Sequence, residues 1–241
     1  MGYGNFIGHS SNNSKTATNG GIWNSKDVYK LSKDTPWNFN SPELVAFETN
    51  ITSNFSNTAI PNETKEGDII FVICGSNGTT PPDDVNNPGG FTQIATNNTN
   101  PRYSIFYKIA TLNEDGGSGL NVTATNEAGM VCVFRSPKKP TIYDAIGSEF
   151  VDEDGINATA SVTGGNFYSN TTLLHISFLQ NNTISGPTVL DGYTEIASVG
   201  NGGVSLYVSY KRNQAPKVTN TSQITYPDAS NRRRSLLVSI L

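Results

Sequence analysis

Between Gly67 and Ala110 three apolar runs, DIIFVIC (68–74), FTQIA (91–95) and YSIFYKIA (103–110), are separated by Gly, Pro, Asn and Ser. Runs rich in Ile, Val, Phe and Tyr and bounded by turn formers are sheet strands joined by loops. Alternation is clear in Tyr103-Ser104-Ile105-Phe106-Tyr107-Lys108-Ile109 and again in Val204-Ser205-Leu206-Tyr207-Val208-Ser209-Tyr210. Half-buried antiparallel strands produce that period of two.

The unit has a weaker copy about a hundred residues on. Gly90-Phe91-Thr92-Gln93-Ile94-Ala95 matches Gly192-Tyr193-Thr194-Glu195-Ile196-Ala197, the strand ending in Lys108 matches the one ending in Lys211, and Met130–Phe134 matches Leu236–Ile240. Two copies are too few for a solenoid. They suit two half-motifs packed as one sandwich, or two small sandwiches in tandem. The single sandwich is preferred, because the link between the halves is short and has no flexible spacer. Strands are expected at Leu44–Asn50, Asp68–Cys74, Phe91–Thr96, Tyr103–Thr111, Leu120–Thr125 and Met130–Arg135. The second half repeats them at Tyr143–Phe150, Ala158–Thr163, Thr172–Leu179, Tyr193–Val199, Ser205–Lys211, Gln223–Tyr226 and Ser235–Leu241. The expected class is all-β: a jelly-roll-like antiparallel β sandwich over 41–241, with pseudo-repeated halves of about 41–140 and 141–241.

Composition agrees. Charged residues are 15% and hydrophobic residues 35%, and Asn, Thr, Ser and 23 Gly fill the balance. That mixture builds short strands and many turns. Disorder favours high charge and few aromatics, whereas here 11 Phe and 10 Tyr supply a core. A net charge of -4 argues against nucleic acid as partner. The one basic cluster, Arg232-Arg233-Arg234, reads as a solvated turn before the last strand. Cys74 and Cys132 both lie in apolar strands and are expected to be buried free thiols, with a disulfide the alternative.

Residues 1–40 differ from the rest. After a Gly/Asn/Ser-rich lead-in they read GIWNSKDVYKLSKDTPW, where Asn24 or Ser25 could cap a short helix. Both tryptophans of the chain are here. Ile22, Trp23, Tyr29 and Trp37 either fold back on the main domain as a clip or dock on another subunit. Docking is favoured, since Trp and Tyr anchor interfaces. The leader MGYGNFIGHSSNNS has no charged n-region and no apolar h-region, and position six is Phe6, so neither a signal peptide nor myristoylation is expected. No apolar run approaches the roughly 20 residues that cross a bilayer, so synthesis in a cytoplasm without membrane insertion is expected.

Residues suited to catalysis are few. His9 lies in the polar leader, and His175, in Leu173-Leu174-His175-Ile176, reads as a core or edge residue with a satisfied hydrogen bond. No G-x-S-x-G, H-E-x-x-H, C-x-x-C or P-loop pattern occurs, and scattered single His and Cys make no zinc site. The acidic runs Asp83-Asp84, Glu114-Asp115 and Asp152-Glu153-Asp154 read as solvated loop charge, without the ligand spacing of a calcium loop. Sequons at Asn12, Asn50, Asn54, Asn62, Asn77, Asn97, Asn121, Asn157, Asn170, Asn181 and Asn220 follow from an Asn/Thr-rich composition. No catalytic residue, cofactor or metal is expected.

The order GDIIFV (67–72), Pro-rich loop, GGFTQIA (89–95), YSIFYKIAT (103–111) with Glu114 after it, then MVCVFRS (130–136) resembles a β-sandwich module of phage virion and bacterial surface proteins. Phe91 stands where that module often has Trp. GGIWNSKDVYKLSKDTPW (20–37) resembles a Gly-Gly-Val/Ile-Trp motif of phage tail and capsid-associated proteins. The resemblance implies a non-enzymatic structural protein of a tailed-phage virion. A tail fibre or appendage component is favoured, docked on other virion proteins by its arm and forming a homo-oligomer. A capsid decoration protein is the alternative, as is a carbohydrate-binding module contacting a host-surface glycan, with Tyr168 or Tyr193 exposed for stacking. Loops 76–90 and 180–191 are the expected contact loops.

Overall fold

Every regular element among the described residues is a β-strand. The computed structural model describes residues 41–50, 58–77, 90–117, 119–120, 128–136, 142–146, 150–152, 157–163, 171–180, 188–189, 192–200, 203–214, 219–225 and 233–240. The chain divides into two compact units, Met1–Phe39 and Asn40–Leu241, and all described residues belong to the second.

The first half runs β1 (Glu43–Asn50), β2 (Thr58–Ala59), β3 (Ile69–Ser76), β4 (Thr92–Asn97), β5 (Arg102–Ile109), β6 (Gly119–Leu120) and β7 (Ala128–Arg135). Five of these form one antiparallel sheet in the order β1-β7-β3-β5-β4, while β2 and β6 pair with each other. The second half runs β8 (Ile142–Ile146), β9 (Phe150–Asp152), β10 (Asn157–Thr163), β11 (Thr171–Gln180), β12 (Thr188–Val189), β13 (Thr194–Gly200), β14 (Val204–Gln214), β15 (Thr219–Thr225) and β16 (Arg233–Ile240). Its main sheet has the order β8-β16-β11-β14-β13, with β9 also on β16, and β10-β15-β12 form a separate three-stranded sheet.

The two main sheets share one strand order, and the match reaches individual residues. Ile70 pairs with Lys108 and Val133 across its two ladders, and Leu173 pairs with Lys211 and Ser239 across its own. Thr92 opposes Tyr107 as Thr194 opposes Tyr210, and each pair is followed by a bulge at Ile94 or Ile196. The smaller sheets match too. In each half a strand from the long connection after the first strand pairs with the one before the last, β2 with β6 and β10 with β15. The edges meet crosswise, β1 near β13 and β4 near β8, as a two-fold arrangement of similar halves requires. The expected all-β, jelly-roll-like antiparallel sandwich with pseudo-repeated halves is what the chain forms, and each half supplies one whole sheet.

Alternation explains the packing. Ile69, Phe71, Ile73, Ile105, Met130, Cys132 and Phe134 from the first sheet meet Leu174, Ile176, Phe178, Leu206, Val208, Leu236, Val238 and Ile240 from the second in one dry core. Each such side chain contributes about 1.5–3 kcal/mol. The central strands are also buried on their outer faces, so β3, β7, β11 and β16 bear no exposed residue. Behind the first sheet the buried face is apolar: Ile70, Val72, Cys74, Phe106, Val131 and Val133, with Ile60 from the segment after β2. At the matching places of the second sheet stand Leu173, His175, Ser177, Ser209, Leu237 and Ser239, also buried. Cys74 and Cys132 are free buried thiols on opposite faces of their sheet.

Candidate functional site

The motif residues of the first half converge on one corner of its sheet. Gly67 donates to the Ala110 carbonyl at 2.8 Å and Ala110 returns a bond to Asp68 at 2.7 Å, which closes the end of the β3–β5 ladder. The Asp68 carboxylate is buried. It accepts from the Lys65 backbone at 2.8 Å and takes a two-pronged bond from Arg135, Nε to Oδ1 at 2.8 Å and a terminal nitrogen to Oδ2 at 2.7 Å. Bidentate Arg–carboxylate bonds are among the strongest that side chains form. Arg135 also donates to the Glu63 carbonyl at 3.0 Å, so one guanidinium ties β7 to the turn before β3.

Beside it, Lys108 Nζ lies 2.8 Å from Glu114 Oε1. Glu114 Oε2 accepts from the Thr111 backbone N–H at 2.8 Å and from the Thr111 hydroxyl at 2.7 Å. Burial alone would raise the Glu114 carboxyl, but the bonds from Lys108 and Thr111 outweigh it and hold it below the usual carboxylate range. Asp68 and Glu114 are each held by a cation and a backbone N–H. The corner fixes shape.

Lys108 has a second contact, its ammonium 5.7 Å from the centre of the Phe91 ring, and Lys211 stands 5.7 Å from the Tyr193 ring. Gly90 and Gly192, just before the rings, have φ of +80° and +75°, and a Cβ added at either would lie 3.6–4.0 Å from the same lysines. Glycine accepts that φ, which a side chain would strain even though the lysine leaves space for a Cβ. The G-[FY]-T-x-I echo is therefore one lysine-capped corner built twice.

Three expectations need correction. Tyr193 is not an open stacking platform: it is 9% exposed, edge-on to His175 at 6.1 Å, with Lys211 over its ring. Arg233 and Arg234 are not a solvated turn. Both lie within β16 and are buried, and Arg234 donates to the Thr99 hydroxyl. Glu114 is not solvated loop charge but the fully buried partner of Lys108. Arg234 is held by Thr99, 135 positions away, whereas Glu114 is held by Lys108 and Thr111, six and three positions away. His175 is a core residue as expected, and burial pushes its pKa down to about 3. The Asp68–Arg135 pair was missed. Its partners are 67 positions apart, and only the register of β3 on β7 joins them.

Ile22, Trp23, Tyr29, Trp37, His9, Asp83, Asp84, Tyr168 and Arg232 lie outside the described residues, as do most of loops 76–90 and 180–191. Among the described residues, no group of three His, Cys, Asp or Glu could hold a metal ion, and no helix is long and apolar enough to cross a membrane.

No protein-family model matches the chain, and no curated protein does. Among solved structures it is similar to two crystal structures of BuGH86 in complex with neoagarooctaose. The point variant is 10% identical with a TM-score of 0.34, and the wild type 11% identical with a TM-score of 0.31. Each match covers 97% of this chain, which spans about two fifths of those chains, 41% and 40%.

Proposed function

We propose that the chain is a non-enzymatic structural protein of a tailed-phage virion, a tail fibre or appendage component. It docks on other virion proteins through residues 1–40 and displays the β sandwich. One observation carries this reading. Residues that resemble virion modules pair with one another on the first sheet, Asp68 with Arg135 and Lys108 with Glu114, and Lys108 also lies over the Phe91 ring. A motif built of scaffold contacts belongs to a protein whose task is to present a surface. The division of the chain into Met1–Phe39 and Asn40–Leu241 supports a separate docking arm.

The test is made on particles of the phage that encodes the chain. Immunogold labelling and cryo-EM are expected to place the chain on the tail, and deletion of residues 1–40 is expected to remove it from purified particles. A chain absent from particles overturns the reading. A truncated chain that still incorporates overturns the role of Ile22, Trp23, Tyr29 and Trp37 as the anchor.

A further inference from the structure

The segment that leads into β1 is fastened to the opposite sheet. β1 is an edge strand of the first sheet, paired with β7 alone, from Glu43 opposite Arg135 to Asn50 opposite Gly129. The two residues before it, Ser41 and Pro42, are buried. Their carbonyls are taken by the second sheet. The buried Thr172 hydroxyl donates to Pro42, and one terminal nitrogen of Arg212 donates to Ser41 at 3.1 Å. The other terminal nitrogen of Arg212 lies 3.5 Å from Glu43 Oε2. The pseudo-repeat is broken at this place. In the first sheet Ile70 opposes Lys108 and Ile69 opposes Ile109 without interruption. At the matching positions of the second sheet Leu173 opposes Lys211, but the next pair is Thr171 with Gln214, so Thr172 alone faces Arg212 and Asn213. A bulge adds one residue to a strand and re-aims its side chains. Arg212 stands in that bulge, where the first half has Ile109.

We propose that residues 41–43, held by Thr172 and Arg212, form a tension clamp. A load drawn through the residues before Ser41 enters the sandwich at the end of an edge strand. Terminal strands fray unless they are tied down. Without the clamp, that load falls first on the Glu43–Arg135 pair and then on each later pair of the β1–β7 ladder in turn. With it, the load passes first to β11 and β14, each of which is paired on both sides. The bonds suit the task. Those from Arg212 are charge-assisted, which roughly doubles the strength of a hydrogen bond, and the one from Thr172 is shielded from water. The clamp also ties the first half to the second, so the two sheets resist the load together. Its use rests on the docking arm proposed above, because a tethered sandwich is pulled through its tether.

The full chain is pulled in optical tweezers between handles at its N- and C-termini, where the unfolding rate under load is read directly. Thr172→Val/Arg212→Ala is expected to unfold about tenfold faster than the parent at the same load. Arg212→Ala alone serves if the double variant loses its cooperative melt. A second geometry separates a clamp from ordinary packing. Leu112 is 72% exposed and both native cysteines are buried, so a handle on the thiol of Leu112→Cys, pulled against the C-terminus, bypasses residues 41–43. There the same substitutions are expected to change the rate less than threefold. The inference is overturned if the variants match the parent under N-terminal load, or if both geometries accelerate equally. A clamp that holds in a chain absent from particles sinks the virion reading and leaves this one standing. A particle-borne chain whose variants keep the parent rate does the reverse.

Discussion

Phe178 packs its ring against the bare Cα of Gly75 in the facing sheet, where an added Cβ would come within 2.9 Å of the ring. The ring is also held by stacking on Tyr103, the cross-strand partner of Gly75, at 4.8 Å and 6°. Gly75→Ala should cost about 1–3 kcal/mol, although alanine is ordinarily the better residue in a strand. That corresponds to a fall in Tm of about 2–12 °C. In a double-mutant cycle with Phe178→Ala the two losses should not add, because the smaller residue admits the new methyl. Additive losses would show that the two positions do not share a contact.

Glu114 is the hub of the Lys108–Thr111 corner. Glu114→Ala leaves the Lys108 ammonium and the Thr111 N–H without their buried acceptor, and should cost about 3 kcal/mol. Urea unfolding should show a lower midpoint with an unchanged slope. Its carboxyl is held low in the fold, so its contribution is full above the ordinary carboxylate pKa and fades as pH falls through the folded value. A variant as stable as the parent at pH 7 would show that the corner is not held by this carboxylate.

His175 sets a pH dependence at milder acidity. Burial lowers its pKa from the ordinary 6.5 to about 3, so the folded chain keeps it neutral. Stability is full above about pH 6.5 and falls by about 1.4 kcal/mol per pH unit below that, reaching a loss of about 2 kcal/mol at pH 5. The structurally matching residue of the first half is Val72. His175→Val should therefore flatten the curve of Tm against pH between 5 and 7. An unchanged curve would place the titration elsewhere.

Gly116 and Gly117 separate two costs. Both have positive φ, +77° and +83°, but a Cβ on Gly116 meets nothing within 4 Å, whereas one on Gly117 lies 2.5 Å from the Ile60 carbonyl oxygen. Gly116→Ala should cost about 1 kcal/mol for the backbone alone. Gly117→Ala should cost at least twice that, because backbone must move. Equal losses in thermal melts would show that the turn relaxes around the methyl.

Much of the architecture was legible because strand burial writes itself locally. Alternation located β3, β5, β7, β11 and β16 to within a residue or two and β14 to within three, and the G-[FY]-T-x-I echo marked the true correspondence of β4 with β13. The two-residue strands β2 and β12 were missed, since so short a segment has no period to detect. The corner was half legible: Gly67-Asp68 and Lys108…Glu114 were noticed as a pattern, but their bonding was not.

The sequence by itself determined the all-β class, the doubled half-motif and the inward apolar rows, because side-chain alternation and turn chemistry act between near neighbours. Only the tertiary structure decided which polar groups are interior. Arg135 reaches Asp68, Arg234 reaches Thr99 across 135 positions, and His175 and Tyr193, 18 positions apart, meet edge-on in the interior. A charge or ring is exposed or buried according to what the sheet register brings beside it, and register is a property of paired strands that no single stretch contains.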